Sequence, residues 1–245
     1  MLRTIFIACF AFALLVPPST SANTPESFEN LKVLPKDMSR RELIDVMKSF
    51  TQALGVRCQH CHVGDEGKPQ TEFDFASDEV PSKEVARSMM RMVDAINGEW
   101  LPKTSREDLL TVGCYSCHRG LPRPQKLVDV LLDVASVADV DAALERYESL
   151  RDEYYGRGSY DFGERSLLSF ARTLLENDET QGAMAALRLN LEHHPESANT
   201  WLVLGDLHTK SGQTSEARKA LEKVLALEPD HRVAKRMLDK LTPDP

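Results

Sequence analysis

The sequence has little positive charge, and this shortage limits what the chain can bind. Its 245 residues carry 30 lysine and arginine side chains against 38 aspartate and glutamate side chains, a formal net charge of -8. Nucleic-acid binding needs a basic patch that contacts phosphates. The acidic balance therefore argues against a nucleic-acid partner. It favours a basic protein as partner, because the field of the chain would steer such a protein toward it.

Long hydrophobic runs are also missing. The apolar run near the N terminus, Ile5–Val16, is shorter than the roughly 20 residues that a membrane-spanning helix needs. Arg3 precedes this run, and two prolines and a small-residue segment ending at Ala22 follow it. This order is typical of a cleavable secretory signal peptide. We therefore expect residues 1–22 to be removed and the mature chain to be periplasmic, with no membrane span.

Cysteine is scarce, and its placement carries the strongest signal in the sequence. Of the five cysteines, Cys9 falls inside the apolar run and is interpreted as part of the signal peptide. The other four form two copies of C-x-x-C-H, namely Cys58-Gln59-His60-Cys61-His62 and Cys114-Tyr115-Ser116-Cys117-His118. This spacing puts two thiols on one turn, where they can add to the vinyl groups of a haem while the next histidine faces the iron. We predict two covalently bound haem c groups.

Two other arrangements are compatible with a pair of C-x-x-C sequences. The cysteines could form local disulfides, or all four could assemble a single tetrahedral zinc site. Neither arrangement explains why a histidine directly follows both pairs. Haem attachment accounts for the cysteines and the histidines together.

Histidines are few as well, which restricts the second axial ligand of each iron. Between residues 23 and 126 the only histidines are His60, His62 and His118. His60 lies between two cysteines of the same motif and cannot reach the opposite face of the haem. The second ligand is therefore a methionine, or a histidine from the C-terminal part of the chain.

A predicted helix before the first motif carries one candidate methionine. Ser39 and Glu42 form a capping box, and Gly55 is a suitable stop at the other end. Met47 lies on the apolar stripe of this helix, 11 residues before Cys58. It is either the ligand of the first haem iron or an ordinary core side chain.

A second predicted helix, starting near Ser82, carries further candidates. Its apolar stripe contains Val85, Met89, Met92 and Ile96. Either Met89 or Met92 is therefore the candidate ligand of the second haem iron, and the spacing does not choose between them.

Two charged segments near the motifs have less specific patterns. Arg119 and Arg123 follow the second motif and either pair with haem propionates or are simply solvated. The acidic stretch from Asp65 to Glu79 lacks the regular spacing of a calcium loop. We interpret it as a solvated loop.

After Lys126 the sequence becomes almost continuously helical in pattern and repeats itself with a period of 34 residues. The first copy contains Leu167, Phe170, Ala171, Leu174, Ala183, Leu187 and Pro195, and the second contains Trp201, Leu204, Gly205, His208, Ala217, Leu221 and Pro229. This pattern resembles the tetratricopeptide repeat, in which helical hairpins stack on one another. We predict connecting helices over 127–163 and repeats with a capping helix over 164–245. The repeats would offer a groove for a helix or peptide of a partner.

From about Asn30 to Pro124 the sequence resembles the cytochrome c subunit of photosynthetic reaction centres. The matching segments are ordered and similarly spaced: Asn30–Pro35, Gly55–His62, Ala76–Val80, Val85–Asn97 and Gly113–Gly120. The resemblance implies that a methionine on the helix before a haem motif is an axial ligand, which falls on Met47. It also matches Met89 to the second haem iron, with Met92 as the fallback. Family members typically carry four haems, so this chain resembles one half.

We therefore interpret the chain as mainly α, with an irregular segment over 23–38, a small dihaem cytochrome c domain of short helices and loops over 39–126, and a TPR-like repeat domain. His62 with Met47, and His118 with Met89, would saturate both irons. The predicted function is transfer of single electrons between a donor and an acceptor protein, not catalysis. The alternatives are a peroxidase-like enzyme with one open haem, and a redox-sensing assembly factor whose repeats are the working part.

Overall fold

The computed structural model describes residues 28–104 and 111–241, and these residues form helices joined by loops. The predicted signal peptide, residues 1–22, lies outside the described residues. Between Val63 and Asp74 there is a single antiparallel bridge. The helices are α1 (Arg40–Leu54), α2 (Pro81–Ala95), α3 (Cys114–His118), α4 (Leu127–Val137), α5 (Val140–Tyr154), α6 (Glu164–Glu176), α7 (Thr180–His193), α8 (Ala198–Lys210), α9 (Thr214–Leu227) and α10 (Arg232–Lys240). The mainly α prediction is confirmed.

Helix α1 begins and ends where its capping residues predict. The Ser39 hydroxyl accepts a hydrogen bond from the Glu42 N–H, and the Glu42 carboxylate accepts one from the Ser39 N–H at 2.7 Å. Gly55 ends the helix in the left-handed conformation, with φ 64°. At this end the Ala53 carbonyl accepts a hydrogen bond from the Gly120 N–H at 2.8 Å. The C terminus of α1 therefore packs against the turn that follows the second C-x-x-C-H motif.

The C-terminal part is a stack of helical hairpins, as the 34-residue period predicts. Helices α4 and α5, α6 and α7, and α8 and α9 pair with each other, and α10 packs on α9 as a capping helix. The repeat positions form the core, with the following side chains buried: Leu167, Phe170, Ala171, Leu174, Ala183 and Leu187 in the first copy, and Leu204, Ala217 and Leu221 in the second. The predicted repeat fold is confirmed.

His208, where an aromatic residue is usual in the repeat, closes the turn between α8 and α9. Its Nδ1 lies 2.6 Å from the Gln213 side-chain oxygen, and the Gln213 N–H donates to the His208 carbonyl at 2.8 Å. The two hydrogen bonds give the histidine a local role that does not depend on burial.

The two parts of the chain differ in how they bury side chains. Among the described residues up to 126, the buried side chains are Ala53, Arg87 and Leu121. From Leu127 onward, two apolar core clusters fill the space between the helices, and Trp201 packs against both. The N-terminal part is therefore held together by backbone ties, turns and ion pairs more than by its own apolar side chains, and its helices keep apolar faces available for a bound group.

Candidate haem-binding sites

The first C-x-x-C-H motif forms a tight turn that brings its cysteines and histidine together. Residues Cys58–His60 are a 3₁₀ turn, and the His62 N–H donates to the Cys58 carbonyl at 3.0 Å. The thiols of Cys58 and Cys61 are both free. The Ser82 hydroxyl, at the start of α2, donates to the His60 carbonyl at 2.6 Å. The N terminus of α2 thus holds this turn in place.

Aromatic rings surround the His62 imidazole. The Phe75 ring packs edge-on against it, with the ring centres 5.0 Å apart, and Phe73 packs beside Phe75. Burial lowers the pKa of His62, and the positive charge of Lys83 lowers it further. At neutral pH the ring is therefore uncharged, which is the form that binds metals. Its Nδ1 is buried, with no hydrogen-bond partner among the described residues.

The second motif is a short helix, α3, whose histidine is oriented by a backbone carbonyl. The His118 Nδ1 lies 2.8 Å from the Leu121 carbonyl oxygen, and the Leu121 N–H donates back to the His118 carbonyl at 2.9 Å. If Nδ1 carries the proton and donates it, the lone pair of Nε2 is left free for a metal, which is the usual arrangement of a ligating histidine. The side chain is thereby prepared for the axial role predicted from the sequence.

Asn97, in the π-helical turn Ile96–Trp100 directly after α2, ties this helix to the segment that leads into the second motif. Its side-chain amide donates to the Val112 carbonyl at 2.8 Å and accepts from the Val112 N–H at the same distance. Residues 105–110 between them lie outside the described residues. This two-bond clamp sets the position of α3 relative to the methionine-bearing helix.

The methionine candidates lie on helix faces that the protein itself covers only in part. On α2, Met89 is 39 % exposed and Met92 is 48 % exposed, next to Val85 at 56 %. On α1, Met47 is half-buried. A row of exposed apolar side chains on one helix face suits contact with an apolar macrocycle. The exposures do not separate Met89 from Met92, so the axial methionines stay predictions.

Neither alternative arrangement of the cysteines is present among the described residues. The described residues include all four motif cysteines, and their thiols are free. Among the same residues, no group of three or more histidine, cysteine, aspartate or glutamate side chains is placed to hold a metal ion. The two motifs therefore form separate sites, each with two thiols and one histidine, and this donor set fits two covalently attached haems.

A cluster of charges beside α2 was not expected from the sequence. Arg87 is buried, and its guanidinium lies 2.8 Å from an Asp78 oxygen and 2.9 Å from a Glu84 oxygen. Lys32 and Lys83 also contact Asp78, at 2.6 Å and 3.3 Å. These hydrogen bonds hold the pKa of the Asp78 carboxyl well below its usual range, and the bond from Arg87 has the largest effect.

The solvated-loop interpretation did not anticipate the ion pairs of Asp78, whose side chain is 36 % exposed. The loop folds back so that the Asp78 carboxylate joins Lys83 and Arg87 of α2 and the distant Lys32. One signal in the sequence points to the cluster, since Arg87 lies three residues after Glu84 on the predicted helix. The ion pairs connect the N-terminal segment, the loop and α2 into one unit around the first motif.

Replacing Arg87 by glutamine is expected to lower the free energy of unfolding by about 2 kcal/mol, because a buried cation loses its charged hydrogen bonds. Arg91→Gln is the matched control. Arg91 lies on the same helix, 3.7 Å from Glu84, but its side chain is 53 % exposed. We expect Arg91→Gln to lower the free energy of unfolding by about 0.5 kcal/mol or less. Urea unfolding of the two variants and the wild type measures these free energies. Equal losses in the two variants would contradict a stabilising role for the buried Arg87 side chain.

The contribution of this charged cluster to the stability of the fold decreases at acidic pH. The pKa of folded Asp78 lies below that of an unfolded aspartate. The stabilisation is therefore fully present at neutral pH and declines once the pH falls below about 4. The difference between wild type and Arg87→Gln should shrink in the same range.

Arg119 and Arg123 lie where the propionate prediction needs them. Both line a cleft of about 730 Å³ together with His118. Their pairing with a haem remains a prediction.

No helix in the described parts of the chain is long and apolar enough to cross a membrane.

Comparison with known proteins agrees with these features. Residues 13–142 match the family described as photosynthetic reaction centre cytochrome C subunit, and residues 171–241 match the tetratricopeptide repeat. The reaction center cytochrome c subunit of Thermochromatium tepidum is 33 % identical over 109 residues, which cover 44 % of this chain and 24 % of the relative. That of Roseobacter denitrificans is 30 % identical over 114 residues, covering 46 % and 29 %.

A third relative is cytochrome c-554 of Chloroflexus aurantiacus, which is 35 % identical over 86 residues, covering 35 % of this chain and 19 % of the relative. The matches thus span between a fifth and a third of the length of these curated relatives. The family match itself, over residues 13–142, includes both C-x-x-C-H motifs and more than half of the 245 residues. The chain therefore belongs to the photosynthetic reaction centre cytochrome c subunit family.

Proposed function

We propose that this chain is an exported dihaem c-type cytochrome that transfers single electrons between redox proteins. The observation that carries the proposal is the presence of two separate C-x-x-C-H turns, each with free thiols and a histidine held by the surrounding protein. The relatives are named as cytochrome c subunits of reaction centres and as a cytochrome c, which supports an electron carrier.

Each site has its own set of residues for a covalently attached haem. At the first, Cys58 and Cys61 would hold the group through two thioethers, and His62 would bind its iron. At the second, Cys114 and Cys117 would do the same, with His118. A haem c supplies reversible one-electron oxidation and reduction at its iron.

The remaining residues of each site orient the ligands and limit access of water. Leu121, through its carbonyl, keeps the His118 ring in one orientation. Phe75 packs against one side of the His62 ring, and burial of this ring favours its uncharged form. Met47 and Met89 would be the second protein ligands of the two irons, which would then have no open position for dioxygen or peroxide.

The repeat region gives the carrier a docking element. Stacked hairpins of this kind hold helices or extended peptides of partner proteins. The net charge of -8 favours a basic protein as the docked partner. Association should therefore slow as salt is raised, since salt screens the attraction.

The axial ligands can be tested by replacing each methionine with alanine. Met47→Ala and Met89→Ala are each expected to open one of the two irons, so that each variant binds one carbon monoxide per chain while the wild type binds little. The absorption band of methionine-ligated ferric haem should fall to about half in each variant. Met92→Ala is the control, since it lies on the same face of α2 and should leave the band intact.

Each outcome has a distinct meaning. If Met92→Ala removes half of the band and Met89→Ala does not, the fallback ligand is the correct one. If wild type binds carbon monoxide readily at one haem, the carrier proposal fails and the peroxidase-like enzyme takes its place.

Export is tested separately. The chain recovered from the periplasm should have the mass of a chain that begins at Asn23.

A further inference from the structure

The second motif and the repeat region share one cleft. The cleft of about 730 Å³ is lined on one side by Cys117, His118 and Arg123, and on the other by Tyr160 and Arg165, at the start of α6. A smaller cleft, of about 390 Å³, lies beside Cys58 at the first motif, and its lining residues all fall between Thr51 and Phe73. Arg165 of the repeat region therefore lines the cleft at the second site, and the cleft at the first site is lined by residues of the N-terminal part alone.

A hydrogen bond ties this part of the chain to the turn that carries His118. The Ser159 side chain is buried, and its hydroxyl donates to the Arg119 carbonyl at 2.7 Å. Arg119 directly follows His118 and adopts the left-handed conformation, with φ 51°, which is costly for a residue other than glycine. A contact from the loop before α6 thus helps to hold the backbone conformation on which the orientation of His118 depends.

The charge of the cleft is opposite in sign to that of the whole chain. Its lining has four basic side chains, Arg119, Arg123, Lys126 and Arg165, and two acidic ones, Asp129 and Asp161. A net positive cleft in a chain with a net charge of -8 suits an anionic group. The propionates of a haem attached at Cys114 and Cys117 are such a group, and guanidinium groups pair well with carboxylates.

We propose that the C-terminal part of the chain completes the second haem site. Arg165, at the start of the repeat region, pairs with the haem propionates, and Ser159, in the connecting segment before it, positions the turn after His118. This inference rests on the proposed function. A positive charge near the iron favours the reduced form, which carries one positive charge less. Arg165 therefore raises the reduction potential of the second haem and has little effect on the first. The repeat region would therefore raise the reduction potential of the second haem and also dock the electron carrier to its partner.

Redox titration of the full two-haem chain tests the proposal with Arg165→Gln. The reduction equilibrium constant of one haem should fall on the order of tenfold, which for a one-electron couple is a decrease of about 59 mV. The other haem should keep its potential. Arg172→Gln is the matched control, because Arg172 is exposed on the same face of α6, about 10 Å further along the helix, and does not line the cleft. It should leave both potentials unchanged.

A second pair of variants assigns the shifted potential to a haem. In a Cys117→Ser background, the second haem keeps one unreacted vinyl group, so that its absorption differs from that of the first. Adding Arg165→Gln should then shift only the haem with the altered spectrum, and Arg165→Lys should keep most of the original potential. An unchanged potential, or a shift at the first haem, would overturn this inference alone. A chain that carries fewer than two haems would instead overturn the proposed function.

Discussion

Replacing Cys58 and Cys61 together by serine is expected to leave the purified chain with one covalently bound haem instead of two. Replacing Cys114 and Cys117 should have the same effect, because the two motifs form separate sites with their own thiols and histidines. Covalent attachment requires the local thiols, so the loss at one site should not extend to the other. The mass of the denatured chain and its haem content per protein measure the result.

The same variants separate haem attachment from the zinc alternative. A single site built from all four cysteines would lose its metal in either double variant, since two of four ligands are gone. Two haem sites would each survive the loss of the other. Retention of one haem in each double variant therefore supports the proposed function, and complete loss of a bound metal in both, with zinc in the wild type, would refute it. Gln59→Ala, inside the first motif, is the control and should keep both haems.

Replacing Gly55 by alanine is expected to be the most destabilising of the single substitutions considered. Gly55 has φ 64°, and a Cβ atom at this position would clash with the Gly120 carbonyl oxygen, which belongs to backbone and cannot move aside cheaply. The left-handed conformation and the overlap together should lower the free energy of unfolding by about 3 kcal/mol or more. The close approach also joins α1 to the turn after His118, so the environment of the second haem should change as well.

Gly67→Ala is the matched control for this substitution. Gly67 is also left-handed, with φ 82°, but nothing lies within 4 Å of the position that its Cβ would take. Its cost should be the conformational strain alone, about 1 kcal/mol. Denaturant unfolding of both variants measures the two values. Equal costs would show that the contact between Gly55 and Gly120 does not contribute to stability.

Local signals in the sequence predicted the helices of the N-terminal part well. The capping box at Ser39 and the glycine at position 55 bound α1 at both ends. The predicted start of the next helix near Ser82 is one residue from its start at Pro81. Helix ends depend on hydrogen bonds between residues three or four apart, so neighbouring residue types are enough to locate them.

The acidic loop shows where local patterns fail. The sequence does not indicate that Lys32 would meet Asp78, since the two residues lie 46 positions apart along the chain. Whether a carboxylate is solvated or paired depends on which segments fold against each other. The interaction of Ser159 with Arg119, across 40 residues, is a second contact of this kind.

The sequence by itself determined the candidate haem motifs of this protein and its repeats, because thiols and a histidine on one turn, and apolar residues at a 34-residue period, are local patterns. The tertiary structure decided how these units are joined. It brought Gly55 against Gly120, closed a charged cluster around Arg87, and placed the start of α6 beside the second motif. These contacts follow from packing between distant segments, which the spacing of residues along the chain does not encode.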